Sequence, residues 1–219
     1  MCENYSCTFV KFFIFTKKLK MKLKKLISIF SLILLLANNT FAQDQFLMME
    51  NQEMILNKMN SSIKWTGKEI TTKTHYGSLK FKEGKIIIKG EKIISGNFIV
   101  DMRSINCQDL SGKSKNYLES HLKSEDFFGV DIYPEASLSI KTSELKSDGN
   151  QVVEGDITIK GITQPISFNI SIQNKEGKAK LIFDRTKHNV TYRSGNFFQN
   201  LGDKLIYDDI EIEARLTFN

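Results

Sequence analysis

Apolar and polar residues alternate along the C-terminal stretch of this chain. Ile206, Asp208, Ile210, Ile212, Ala214, Leu216 and Phe218 share one parity; Asp209, Glu211, Glu213, Arg215 and Thr217 take the other. Apart from Asp208, this is the period-two signature of a strand with one buried and one wet face, and it predicts a strand over 206–218. The same rhythm runs through Ile166, Phe168, Ile170 and Ile172, which alternate with Ser167, Asn169 and Ser171. It recurs in Gly96, Phe98, Val100 and Met102, and in Gly77, Leu79 and Phe81. Shorter versions are Leu138/Ile140, Ile157/Ile159 and Ala179/Leu181/Phe183. Turn-forming residues punctuate these runs at Glu83-Gly84, Asp148-Gly149-Asn150 and Glu176-Gly177, which predicts an antiparallel meander joined mostly by tight turns.

Strands with one apolar face must bury that face, either by stacking as two sheets or by closing into a barrel. The length of the last strand suits the tilted wall of a barrel, and closure removes the exposed edges that are the main hazard of a strand-rich chain. The predicted fold class is all-β, an antiparallel β-barrel.

One segment, 104–134, breaks the rhythm. Within it Tyr117, Leu118, His121 and Leu122 fall at helical spacing and predict one short helix at about 114–123. Phe127-Phe128 follows directly, placing two large aromatics where they can close a barrel mouth, as a plug, as a gate for a ligand, or as both. Long excursions from a tight meander usually carry function or cover something.

Charge changes the picture only after the chain is divided. The whole has 31 Lys+Arg against 25 Asp+Glu, a formal net charge of +6. Residues 1–42 contain seven lysines and one acid, so 43–219 carry 24 basic and 24 acidic side chains and are formally neutral. A neutral body lacks the basic footprint that phosphate-backbone binding requires, so no nucleic-acid partner is expected. The basic terminus reads as an export signal. Lys22, Lys24 and Lys25 precede an apolar run at 26–37 and then Thr40-Phe41-Ala42, small residues at −3 and −1 of a cleavage after Ala42. The apolar run is too short to span a bilayer. Met21 begins a complete signal by itself, so residues 1–20 read as an over-extended start. The expected product is periplasmic or secreted and not membrane-spanning after processing, with an N-terminal extension at 43–60 that holds Met48, Met49, Met54 and Met59. Nothing in the pattern specifies an oligomeric state.

Chemistry-bearing groups are sparse. Cys107 is the single cysteine after residue 42 and stands among polar residues with no adjacent His, which reads as an inert thiol. His75, His121 and His188 lie far apart in sequence without metal-ligand spacing, so no metal site is expected. No Ser-His-Asp arrangement, phosphate loop or dinucleotide fingerprint occurs, and no catalytic residue is assigned.

The run His121-Leu122-Lys123-Ser124-Glu125-Asp126-Phe127-Phe128, closed by Tyr133-Pro134, resembles the most recognisable stretch of the YceI-like lipid-binding family. Matching pieces stand around it in matching order: Ser62-Ile63-Lys64-Trp65, His75 to Phe81, Gly96 to Met102, Gly155 to Thr163 and Phe183-Asp184-Arg185-Thr186. The resemblance covers about 60–219 and places the barrel domain at 61–219. Gly129 departs from it, standing where an acidic residue often follows the two phenylalanines. The resemblance implies a lipocalin-like barrel, typically periplasmic, whose lumen holds a polyisoprenoid, an isoprenoid quinone or a fatty-acid-like lipid, with no further cofactor and no enzymatic activity. The inward parities would then line that lumen with Phe81, Phe98, Met102, Ile140, Ile157, Phe168, Ile170, Leu181, Ile210 and Ile212. Phe127 and Phe128 would stand at the mouth, with His75 and His121 as possible head-group contacts. Two alternatives stay open: a small extracytoplasmic enzyme or haem- or metal-handling barrel using His75 or His121, and a stress-response barrel whose core is filled by these same side chains.

Overall fold

The computed structural model describes residues 50–70 and 73–219. The expected export signal and the pair Met48-Met49 lie outside the described residues.

Among the described residues, nine strands and one α-helix follow in chain order: β1 (Asn51–Ile55), β2 (Ser62–Lys68), β3 (Thr74–Lys89), β4 (Lys92–Cys107), α1 (Gly112–Lys123), β5 (Glu135–Leu145), β6 (Asn150–Ile159), β7 (Ile162–Gln173), β8 (Glu176–Asp184) and β9 (Asp209–Thr217). Strands β2 to β9 pair antiparallel, each with its neighbour in sequence, and β2 returns to pair with β9. The ring is therefore a closed eight-stranded antiparallel barrel with one short helix, as the alternation predicted. An eight-stranded barrel is just wide enough for its interior either to be filled by side chains or to hold one small ligand.

Strand β1 lies beside the second half of β3 (Met54↔Ile86), while β2 takes the first half (Trp65↔Gly77). Residues 51–56, assigned from sequence to an extension, thus sit in the sheet, and Met54 and Leu56 are buried in the core. Met59 is exposed.

Three details differ from the pattern reading. The last strand is nine residues, not the full stretch 206–218, because Asp208 leaves the ladder to receive Arg185. The longest strands are β3 and β4, at 16 residues each. Glu83-Gly84 is not a turn. It lies inside β3 beside a register shift between Phe81 and Glu83, where a β-bulge moves the inward face from odd to even positions. Glycine suits that site because a Cβ on Gly84 would stand 2.6 Å from the Phe98 ring. Glu176-Gly177 likewise begins β8, and the preceding turn is Asn174-Lys175, both with positive φ as a type I′ hairpin requires. Asp148-Gly149 is a turn as expected.

The β3–β4 hairpin end of the barrel is packed solid. Met54, Leu56, Ile86, Ile93, Ile140 and Val153 fill it, and Gly96 lets Ile86 and Ile140 close over the backbone. A buried polar pair seals this floor. Gln151 Oε1 accepts from the Ile93 N–H (2.9 Å), its Nε2 donates to the Glu91 carbonyl (2.8 Å), and Ser143 Oγ donates to the Ile93 carbonyl (2.6 Å).

Candidate functional site

Above the floor the barrel is hollow. A cavity of about 630 Å³ opens between all eight strands and the cover at the far end, a volume typical of small-molecule sites. Its walls are the inward parities read from the sequence. Phe81 comes from β3, Phe98 and Met102 from β4, Ile157 from β6, Phe168 and Ile170 from β7, Leu181 from β8, and Ile210 and Ile212 from β9. Ile140 is the exception among the expected wall residues. It faces inward, but at a height where Gly96 permits it to join the solid floor, so it does not reach the cavity.

The far end is covered by the two long connections. Helix α1 is pinned to the end of β4: Lys115 Nζ donates to Asn106 Oδ1 (2.7 Å) and to the Cys107 carbonyl (2.8 Å), while Glu119 Oε1 accepts from the Cys107 N–H (2.7 Å). After the helix the chain folds back with Gly129 at φ +56, a left-handed turn in which its N–H donates to the Ser124 carbonyl. This turn explains why glycine occupies that position. It presents Phe127 and Phe128 to the lumen, their rings 5.1 Å apart and edge to face. Phe127 is buried and Phe128 half-buried.

The second connection runs from β8 to β9 and is organised by Arg185, which is fully buried. Its Nη1 donates to the Val190 carbonyl (2.7 Å), its Nε to Tyr207 (3.2 Å), and its Nη2 to Ile206 and to Asp208 Oδ1 (3.1 Å each). Asp208 Oδ2 accepts in turn from Ser194 Oγ (2.9 Å) and Asn196 Nδ2 (2.8 Å). Phe197 and Phe198, in the same connection, are exposed.

His75 and His121 both border the cavity, whereas His188 does not. His75 shares a 2.7 Å hydrogen bond with Asp109 through Nδ1, and Asp109 also accepts from the Tyr76 N–H (2.9 Å) and the buried Cys107 thiol (3.3 Å). Burial opposes ionisation of Asp109, but these hydrogen bonds outweigh it and hold its carboxyl below the usual range. Burial likewise pushes the Cys107 thiol up, consistent with an unreactive group. His188 is buried away from the cavity and donates Nδ1–H to the Ile162 carbonyl (3.0 Å). His121 lies on the cavity wall, its ring edge to face with Tyr192 (4.4 Å) and Phe127 (5.6 Å), and burial lowers its pKa despite the neighbouring Asp126. Among the described residues no three His, Cys, Asp or Glu side chains converge as a metal site.

Several lining residues went unassigned in the sequence reading. Trp65 on β2, Leu79 on β3 and Val100 on β4 line the lumen, and Tyr192 and Arg193 enter from the β8–β9 connection. Lys68, Glu69, Lys113 and Tyr117 border the cavity at its α1 end.

A closed antiparallel barrel, solid at one end and hollow and apolar at the other, with a helical cover, is a lipocalin-like architecture. The YceI-like domain model matches residues 55–218, and the chain belongs to that family. A UPF0312 protein of Vibrio campbellii is 32% identical over 111 residues, which are 45% of this chain and 59% of the relative. One from Photorhabdus laumondii is 39% identical over 61 residues, 27% of this chain and 30% of the relative. The matched segments thus span less than two thirds of these relatives. The fold is similar to that of BcnA from Burkholderia cenocepacia, with a TM-score of 0.59 at 18% identity, over 74% of this chain and 98% of that one. It is also similar to a polyisoprenoid binding domain from Saccharophagus degradans, with a TM-score of 0.52 at 10% identity, over 76% and 97%.

Proposed function

We propose that this protein is an exported, non-enzymatic carrier that holds a polyisoprenoid or similar long-chain lipid in its barrel lumen. The observation that carries this reading is the covered cavity of about 630 Å³ walled by aliphatic and aromatic side chains from every strand of the barrel. Enclosing a hydrocarbon chain there removes apolar surface from water at ~25 cal/mol per Å², so a few hundred Å² supply a large gross driving force against the cost of ordering the chain. The family and the polyisoprenoid-binding relative in fold support the same reading. Twelve expected contact residues supply the apolar part of this proposal, less Ile140, with Phe127 and Phe128 at the covered end.

Mass spectrometry of protein recovered from the exported fraction of its own cells tests both halves. Under denaturing conditions the mass should correspond to a chain beginning at Gln43. Under native conditions an additional mass, lost on organic extraction, should report the lipid. Recovery of a bare chain in every preparation would count against the carrier, and a retained 26–37 segment against export.

A further inference from the structure

Among the described residues, four both line the cavity and stand exposed: Lys68 at the end of β2, and Lys113, Ser114 and Tyr117 in the first turns of α1. They mark the mouth, where the lumen meets solvent. Glu69, Arg193 and Ile206, all half-buried, complete its rim. Backbone hydrogen bonds knit the β2 side of this rim into one surface. The Tyr207 N–H donates to the Lys68 carbonyl (2.9 Å), Ile206 to Arg193 (3.0 Å) and Ile70 to Leu205 (3.0 Å). Beside Arg193 the chain turns sharply, with the Phe197 and Phe198 N–H groups both donating to the Ser194 carbonyl (3.1 and 3.0 Å). Gly195 in that turn packs close to Leu205, since a Cβ there would stand 2.8 Å from Leu205 Cδ1.

These segments carry Ile70, Tyr117, Phe197, Phe198 and Tyr207, five of the eleven large apolar side chains exposed among the described residues. A single exposed apolar side chain needs no explanation, but a concentration of them at a cavity mouth does. Cations stand among them. Lys68, Lys73, Lys113 and Lys204 are exposed, and neither they nor Arg193 enter an ion pair among the described residues. Against these five the same segments offer Glu69 and Asp203, while Asp109 and Asp208 are committed to His75 and Arg185. The surface is therefore locally basic on a chain whose residues 43–219 are formally neutral. Symmetric pairing of two copies through it would set the same cations against each other. An anionic bilayer fits both halves of the pattern: rings and aliphatic groups enter the head-group boundary, and lysines stay level with the phosphates.

Resting on the carrier reading, we propose that this end of the barrel docks on an anionic lipid bilayer, with Phe197 and Phe198 as the inserted apolar side chains and the surrounding lysines as the electrostatic contact. Docking sets the mouth between β2 and α1 against the membrane. A hydrocarbon chain then passes between bilayer and lumen without crossing water, which avoids the cost of exposing its apolar surface. The outer wall of the barrel takes no part in this contact.

A chain beginning at Gln43 keeps every strand of the closed ring and lacks the apolar run at 26–37, so its binding to vesicles reports on the barrel. It should co-float with vesicles of mixed phosphatidylglycerol and phosphatidylcholine, at least about tenfold more tightly than with phosphatidylcholine alone, and rising salt should weaken the binding. Phe197→Ser with Phe198→Ser should weaken it about tenfold or more. Lys73→Glu with Lys204→Glu should weaken it about twentyfold or more, at about fivefold per lysine removed. None of these four side chains lines the cavity. Anthraniloyl-labelled farnesol added from ethanol should therefore enter both variants as it enters the parent, while its uptake from the anionic vesicles slows in step with docking. If one pair of substitutions misfolds, the other still decides. A parent that takes the probe from ethanol but ignores the vesicles, or variants that bind them unchanged, would overturn the docking surface and leave the carrier. A changed sedimentation coefficient in the Phe197 and Phe198 variant, with no vesicle binding by the parent, would overturn it in favour of a protein interface. Failure of the probe to enter the parent from either source would overturn the carrier reading, and this role with it.

Discussion

The guanidinium of Arg185 lies 5.7 Å from the centre of the Phe127 ring. This contact joins the two connections that cover the hollow end of the barrel, one carrying the double phenylalanine and the other the loop that Arg185 organises through three carbonyls and Asp208. Replacing Arg185 with Met removes those bonds and leaves Asp208 half-served. The expected loss is about 3–5 kcal/mol of stability, read as a lower urea midpoint. A loss below about 1 kcal/mol would mean that the loop is held by other contacts.

Phe127 and Phe128 are the apolar surface that the cover presents to the lumen. Changing both to Ala should cost stability, with Phe127 alone contributing about 3–5 kcal/mol because it is buried. The barrel ladder does not depend on either ring, so far-ultraviolet circular dichroism should persist. Bound lipid should be lost or exchange faster. Unchanged lipid occupancy in a folded double variant would remove these residues from any gating or sealing role.

The acid limb of stability should carry the mark of the buried His188 and the half-buried His121. Desolvation by burial pushes the pKa of both His121 and His188 below the ordinary value of about 6.5. The unfolded chain therefore takes up these protons first as pH falls. Stability from this source is complete above about pH 7, declines as pH drops through about 6.5, and stops declining below the folded pKa values. Each histidine contributes a slope of at most ~1.4 kcal/mol per pH unit in that window. Urea midpoints between pH 8 and 5 should show the decline, and His121→Phe should remove its share; a decline unaltered by that substitution would contradict the assignment.

How legible the molecule was in its sequence depended on whether neighbours in the chain decide the contact. In β7 the alternation of Ile166, Phe168, Ile170 and Ile172 runs unbroken, and Phe168 and Ile170 reach the lumen as the parity indicates. In β3 the bulge after Phe81 switches the inward face, so Ile86, fully buried, has the opposite parity. Nothing local announces that switch. Ile140 has the right parity but the wrong depth, because depth is set by strand stagger and by Gly96 across the sheet. Trp65 faces the lumen from β2, but its strand carries too short an alternation to mark it as a wall residue from sequence alone. Tyr192 and Arg193 had no periodic signal, since a long connection folded by Arg185 carries them to the lumen.

A lipid carrier must be hollow where Ile170 stands, and Ile170→Trp tests this most directly. Ile170 is almost fully buried and borders the cavity. In a filled core the larger side chain must overpack, costing typically ~1–3 kcal/mol, whereas in a hollow lumen the indole occupies ligand space. The measurement is thermal unfolding of the delipidated variant beside its lipid occupancy. A midpoint close to that of the delipidated parent, together with loss of bound lipid, is the predicted result. A large fall in the delipidated midpoint, with no lipid in the parent protein, would contradict it.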